Sequence, residues 1–382
     1  MTPSPLAGEG RGEGESPEVN RGLERYISER NFGCRISDRY TYKGWKLLVL
    51  ENELLRVTVL PEKGSDVWEL LYKSEDVDFM WRTPQGLCDR ALYVPTKPTV
   101  EGSFGDFYEG GWQEIAPSGG LGCVYKGADY GQHGEVWNCA WDCVIECEEP
   151  DEVRAKLTCR LMKSPLVIEK RLTLKSGENI LHVDEKITND SEEPIDYMWG
   201  HHPAFGAPFL NPNCVLDVPA GKIAVHSFPE DDNRRFERGE VFDWPEMTTR
   251  SGETVDGSRI PGPESKGSDE LCFIDLREGW YALTDTQRKI GIALEWDVAA
   301  FPYLWYWQVF GGGAGYPWFG RTFNCALEPW SSYPLFGLQQ AIEHGTQKKL
   351  DPHASSSAYL KAVAYSGVSR VSKVKAGRVT PR

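Results

Sequence analysis

Strict two-residue alternation through the middle of the chain restricts the fold more than any other feature of the sequence. Val153, Ala155, Leu157, Cys159 and Leu161 fall on one face of an extended segment; Ile168, Leu172 and Leu174 repeat the pattern, and so do Leu181, Val183 and Ile187. Alternation of this kind is the signature of half-buried antiparallel strands. Turn sequences such as Ser176-Gly177-Glu178-Asn179 separate the runs at the spacing of a sandwich. Further short β-branched and apolar runs occur at 46–50, 55–60, 292–296, 303–309, 325–328 and 359–364. Helical periodicity is confined to a short stretch at 339–343. The predicted architecture is all-β, a large antiparallel β-sandwich of two stacked sheets.

Domain boundaries follow from composition. Residues 1–21 are rich in Gly, Pro, Glu and Ser and carry too little apolar surface to offset their ordering entropy. They are read as a disordered extension. Residues 22–365 are read as one β-sandwich domain, with an extended polar, Gly/Pro-rich excursion at 228–268. Residues 366–382, which hold Lys373, Lys375, Arg378 and Arg382, are read as a solvated C-terminal tail.

Charge and cysteine content exclude several classes. A net charge of -15 is unfavourable for nucleic acid or an anionic membrane. No apolar run approaches the roughly 18 residues of a membrane span. The ten cysteines include no C-x-x-C pair; Cys139, Cys143 and Cys147 lack the usual spacing of a zinc site and read as free thiols of a reducing compartment. With no secretory pattern at the N-terminus, the expectation is a cytoplasmic protein.

Among seven histidines, His182 reads as a surface residue, and His226, His344 and His353 as solvated loop residues. His133 sits between glycines in Gly131-Gln132-His133-Gly134-Glu135, where a ligand can come close to the backbone. His201 and His202 are adjacent, so on a strand one is structural and the other functional. Glu328, in Ala326-Leu327-Glu328-Pro329-Trp330, is a carboxylate on an apolar strand and must be paired or functional.

Three stretches, H-G-E at 133, H-P-A-F at 202 and L-E-P at 328, occur in the order found in the galactose mutarotase-like superfamily, and over residues 45 to 365 the chain resembles an aldose 1-epimerase-related protein. The resemblance implies the galactose mutarotase-like supersandwich. It also implies a mutarotase that interconverts the anomers of a small neutral sugar without a cofactor or metal. Glu328 would be the base, His202 the acid and His133 a substrate-binding residue, with acid and base on opposite sides of the C1–O5 region. Trp112, Gln113, Trp137, Trp307 and Trp330 lie beside the motifs and are candidates for an aromatic floor and a hydroxyl reader. Two departures stand out: H-G-G is H-G-E here, and Glu109 precedes Gly110-Gly111, where relatives specific for sugar phosphates carry arginine. An acid at that position would repel phosphate. The competing reading is a non-catalytic carbohydrate-binding protein on the same fold.

Overall fold

A computed structural model describes residues 32–94, 103–226 and 233–382. The expected extension at 1–21 lies outside the described residues, as does part of the 228–268 excursion; the rest of that excursion carries short strands such as Val241–Asp243 and Glu246–Thr248.

Two large sheets dominate. The first has twelve strands and runs from Arg35–Tyr42 at one edge, through Asp66–Tyr72, Trp112–Ile115, Gly200–Gly206, Phe323–Trp330, Tyr303–Phe310 and Gly267–Phe273, to Val241–Asp243 at the other. The second has eight strands, ordered Cys214–Asp217, Trp280–Asp285, Ile290–Trp296, Ser355–Ser366, Ile180–Asn189, Leu166–Lys175, Glu152–Arg160 and Asp142–Glu148. Neighbouring strands in both sheets pair antiparallel, as the alternation predicts. Val153, Ala155, Leu157, Ile168, Leu172, Leu174, Leu181, Val183 and Ile187 all enter the core between the sheets.

Two inward positions break the apolar pattern. Lys170 falls between Ile168 and Leu172, and Glu185 between Val183 and Ile187, and both are buried. Lys170 Nζ lies 3.1 Å from Glu114 Oε2 of the opposite sheet, and Glu185 Oε2 lies 2.9 Å from His201 Nε2. The Trp199 indole donates to Glu114 Oε1 at 2.9 Å and the Trp112 indole to His201 Nδ1 at 3.2 Å. Burial lowers His201 to about 3, so it is a neutral imidazole with its proton on Nε2. Burial also raises Glu185 to about 7. Each of these side chains has at least one partner, which makes such a network tolerable in a core, while Glu185 Oε1 is left without a hydrogen bond.

The outer face of the twelve-stranded sheet carries a second apolar cluster that includes Trp81, Phe104, Tyr108, Trp137, Trp305 and Trp330. Two glycines make room for Trp330. A Cβ on Gly200 would lie 2.2 Å from the indole, and one on Gly119 would lie 2.4 Å from it.

The C-terminal residues differ from the solvated tail that the sequence suggests. Val371–Lys375 and Arg378–Pro381 form a hairpin against the outer face of the eight-stranded sheet. Val371 and Val374 pack with Trp280, Ala293 and Tyr365. A register shift between Val371 and Lys373 turns both valines inward, so the pattern escapes a strict period of two. Arg370 anchors the hairpin through Asp217, with Nη2 to Oδ1 at 2.6 Å. Truncation after Ser366 is expected to expose Trp280 and Tyr365, lower the thermal midpoint and promote self-association, measurable by calorimetry and size-exclusion chromatography.

Candidate functional site

Cross-strand register decides which histidine reaches the outer face. His201 pairs with Glu114, and Pro203 with Trp112, on the inner face; His202 pairs with Gln113 on the outer face. Glu328 lies on the neighbouring strand, and Trp305 is its register partner on the next. His202 Nε2 and Glu328 Oε1 are 3.3 Å apart, both buried. The Trp330 indole donates to the other carboxylate oxygen, Oε2, at 3.0 Å. The two side chains are therefore in contact and do not stand across a sugar-sized gap, the arrangement expected from the sequence.

Burial acts on the two groups in opposite directions. It raises the Glu328 carboxyl to about 8 and lowers the His202 imidazole to about 4. Tyr108 holds the other imidazole nitrogen, with its hydroxyl 3.2 Å from Nδ1. Burial and the nearby carboxyls of Glu328 and Glu109 push this phenol well above its ordinary value, so it remains a hydroxyl that can donate to Nδ1 or accept from it.

His133 reaches the same cluster from its loop. Its ring centroid lies 5.5 Å from that of His202, 4.5 Å from Phe104 and 6.4 Å from Trp330. Its Nδ1 accepts the Gly120 N–H at 3.3 Å, which leaves the proton on Nε2. Burial and the neighbouring His202 lower its pKa, so it too is neutral. Trp307 lies 5.7 Å from His202, and Trp137 joins the cluster through Phe104 at 5.2 Å.

Two predicted site residues are turned elsewhere. Trp112 lies against His201 between the sheets, because the register puts it on the inner face. Gln113 shares the outer face with His202, but its amide donates to Gly110 O at 2.6 Å and to Asp66 Oδ2 at 3.3 Å. The Glu109 carboxylate also points away from the cluster. It forms a buried ion pair with Lys63 at 2.5 Å, and Lys63 also lies 3.2 Å from Asp66. Glu109 is thus neutralised locally, and the phosphate-repelling role that its sequence position suggests does not hold. His226, expected in solvent, is buried against Trp305 and Phe336 at ring distances of 4.8 and 4.3 Å.

Several residues of the site were not anticipated. Glu270 pairs with Trp307 on the next strand, and burial and the Glu328 charge raise its carboxyl well above its ordinary value. Its position was legible: Glu270 and Cys272 alternate with the core residues Leu271 and Phe273. Trp81 and Trp318 complete an aromatic wall, with Trp318 lying 5.6 Å from Trp307 and 5.5 Å from Trp81. Trp318 sits in the glycine-rich loop after Phe310, which carries no periodic signal.

Comparison with known proteins adds to this geometry. The family described as Domain of unknown function (DUF4432) matches residues 42–363. A candidate aldose 1-epimerase from Klebsiella pneumoniae superposes with a TM-score of 0.67 at 17% identity, over 87% of this chain and 83% of that one. The galactose 1-epimerase of Lactobacillus acidophilus superposes with a TM-score of 0.57 at 13% identity, over 88% of this chain and 100% of that one. A galactose mutarotase-like protein from Clostridium acetobutylicum gives 0.57 at 14% identity, over 87% and 99%. The fold is that of the galactose mutarotase-like proteins.

Proposed function

Given that the chain belongs to the DUF4432 family, whose description assigns no activity, and has a galactose mutarotase-like fold, we propose that it is an aldose 1-epimerase acting on a neutral aldose. The observation that carries this reading is the buried contact of 3.3 Å between Glu328 and His202.

The pair holds one proton between about pH 4 and about pH 8. With the imidazole N–H on Nδ1 against the Tyr108 oxygen, Nε2 is free to take that proton from Glu328 across the contact, which leaves a carboxylate base beside an imidazolium acid. Glu328 then removes the proton of the anomeric hydroxyl while His202 Nε2 protonates the ring oxygen. The C1–O5 bond breaks and C1 becomes an aldehyde. Rotation about C1–C2 presents the other face, the O5 hydroxyl adds back, and both protons return. Tyr108 keeps Nδ1 occupied, Trp330 fixes the carboxylate, and His133 Nε2 offers a second donor to the sugar. Trp307 and Trp318 supply the flat apolar surface that suits the C–H face of a pyranose. Glu270 and Glu328, both raised by burial, offer hydrogen bonds to sugar hydroxyls and no positive charge to hold a phosphate.

The pH dependence has a defined sign. Below about 4 the pair takes up a second proton and lacks a base; above about 8 it loses its only proton and lacks an acid. The expected kcat/KM profile is a bell with limbs near those values, read by NMR exchange spectroscopy on freshly dissolved α-anomers of neutral aldoses. Sugar binding with no acceleration of anomer exchange at any pH would replace this reading with that of a non-catalytic carbohydrate-binding protein.

A further inference from the structure

His133 holds a left-handed backbone conformation, φ +62, which residues other than glycine adopt only when their surroundings impose it. Part of that constraint is local. The His133 N–H bonds Gly120 O at 3.0 Å, Gly134 N–H bonds Gly131 O at 3.0 Å, and Glu135 N–H bonds Ala116 O at 3.1 Å. The remainder comes from the other sheet. The Glu135 side chain leaves the site and inserts into the turn between Glu152–Arg160 and Leu166–Lys175. There Oε2 accepts the N–H groups of Met162 and Lys163 at 3.1 and 3.0 Å, and Oε1 accepts the Ser164 N–H and hydroxyl, both at 3.1 Å. A carboxylate can accept all of these donors at once, whereas an amide turns an N–H₂ toward some of them.

We propose that Glu135 is a positioning residue that acts through His133: by clamping the loop to the 162–164 turn, it fixes the imidazole against Phe104 and His202. The proposal rests on the aldose 1-epimerase reading for its effect on rate. It explains the acidic residue in the H-G-E stretch, which lies two positions after His133 yet faces away from the substrate space.

The test is a double-mutant cycle on the full chain, with Glu135→Gln, His133→Asn and the combined variant. Asparagine tolerates the left-handed conformation. Glu135→Gln is expected to lower kcat/KM about 10²-fold, the scale of a displacement near 1 Å in a catalytic site. The combined variant is expected to be no slower than His133→Asn alone. Losses that multiply would overturn the proposal, because Glu135 would then act independently of His133. A second readout does not depend on activity: in ¹⁵N-histidine NMR spectra, Glu135→Gln is expected to shift the His133 ring nitrogens and leave those of His201 in place. Unmoved His133 signals would also refute it. If the wild-type protein exchanges no anomers, the functional reading fails by itself and the NMR comparison still decides the role of Glu135. If Glu135→Gln does not fold, Ser164→Ala removes one bond to the same carboxylate, and the same shift, smaller, is required.

Discussion

Glu328→Gln is expected to slow anomer exchange about 10²- to 10⁴-fold, the usual contribution of a positioned general acid or base. The substitution isolates the chemistry. Burial already holds the Glu328 carboxyl up to about 8, so the folded protein at neutral pH accommodates an uncharged group there. A glutamine has the same outline, and its carbonyl oxygen can still accept the Trp330 indole N–H. The thermal midpoint should therefore hardly move while the rate collapses. Exchange spectroscopy at pH 6 to 7 on both proteins measures the rate, and a variant with the wild-type rate would remove Glu328 from the mechanism.

The largest expected effect on stability comes from Lys63→Met. The ammonium sits between Asp66 and Glu109, and all three side chains are about 1% exposed or less. Breaking a buried ion pair from one side leaves uncompensated charge and costs about 3–5 kcal/mol. The pH dependence identifies the cause. Burial and the neighbouring Glu109 already hold the Asp66 carboxyl well above its ordinary value; without Lys63, which opposes that rise, the folded state tolerates the buried carboxyls only by taking up a further proton that the unfolded chain releases at neutral pH. The stability deficit should then be largest at neutral pH and shrink as the pH falls toward about 4, the unfolded carboxyl range. Urea midpoints at pH 7 and pH 5 check this, and neutralising the partners with Asp66→Asn and Glu109→Gln should recover much of the loss. An equal deficit at both pH values would mean that lost packing, not charge, is responsible.

The fold was legible because alternation is a backbone-level signal. The runs at 153–161, 166–174 and 181–187 could satisfy their apolar residues only in a two-layer β structure, and the sheets follow that pattern. What escaped was decided by partners distant in sequence. Lys170 and Glu185 sit at inward positions that alternation marks, but nothing local reveals that Glu114 and His201 await them across the core. Adjacency alone said that His201 and His202 face opposite ways; choosing between them needed the register against Gln113 and Glu114. Trp112 was misplaced for the same reason, since a single residue of register exchanges the two faces. Glu109 reads in the sequence as a charge facing the ligand because its counter-ion, Lys63, lies 46 positions earlier. Trp318 belongs to a loop, where no periodicity exists to be read.

His202 and Glu328 stand on adjacent strands in the interior of the twelve-stranded sheet, each strand paired on both sides. Their separation is thus tied to the interstrand spacing, which the hydrogen-bond ladder holds near 4.8 Å. The aromatic wall and His133, in contrast, come largely from connecting segments. On the proposed function, a lineage could therefore exchange the wall piecemeal, and with it the choice of sugar, while the Glu328–His202 contact stayed intact. For an engineer the same division marks the segments around Trp81 and Trp318 as the places to randomise when seeking a new substrate.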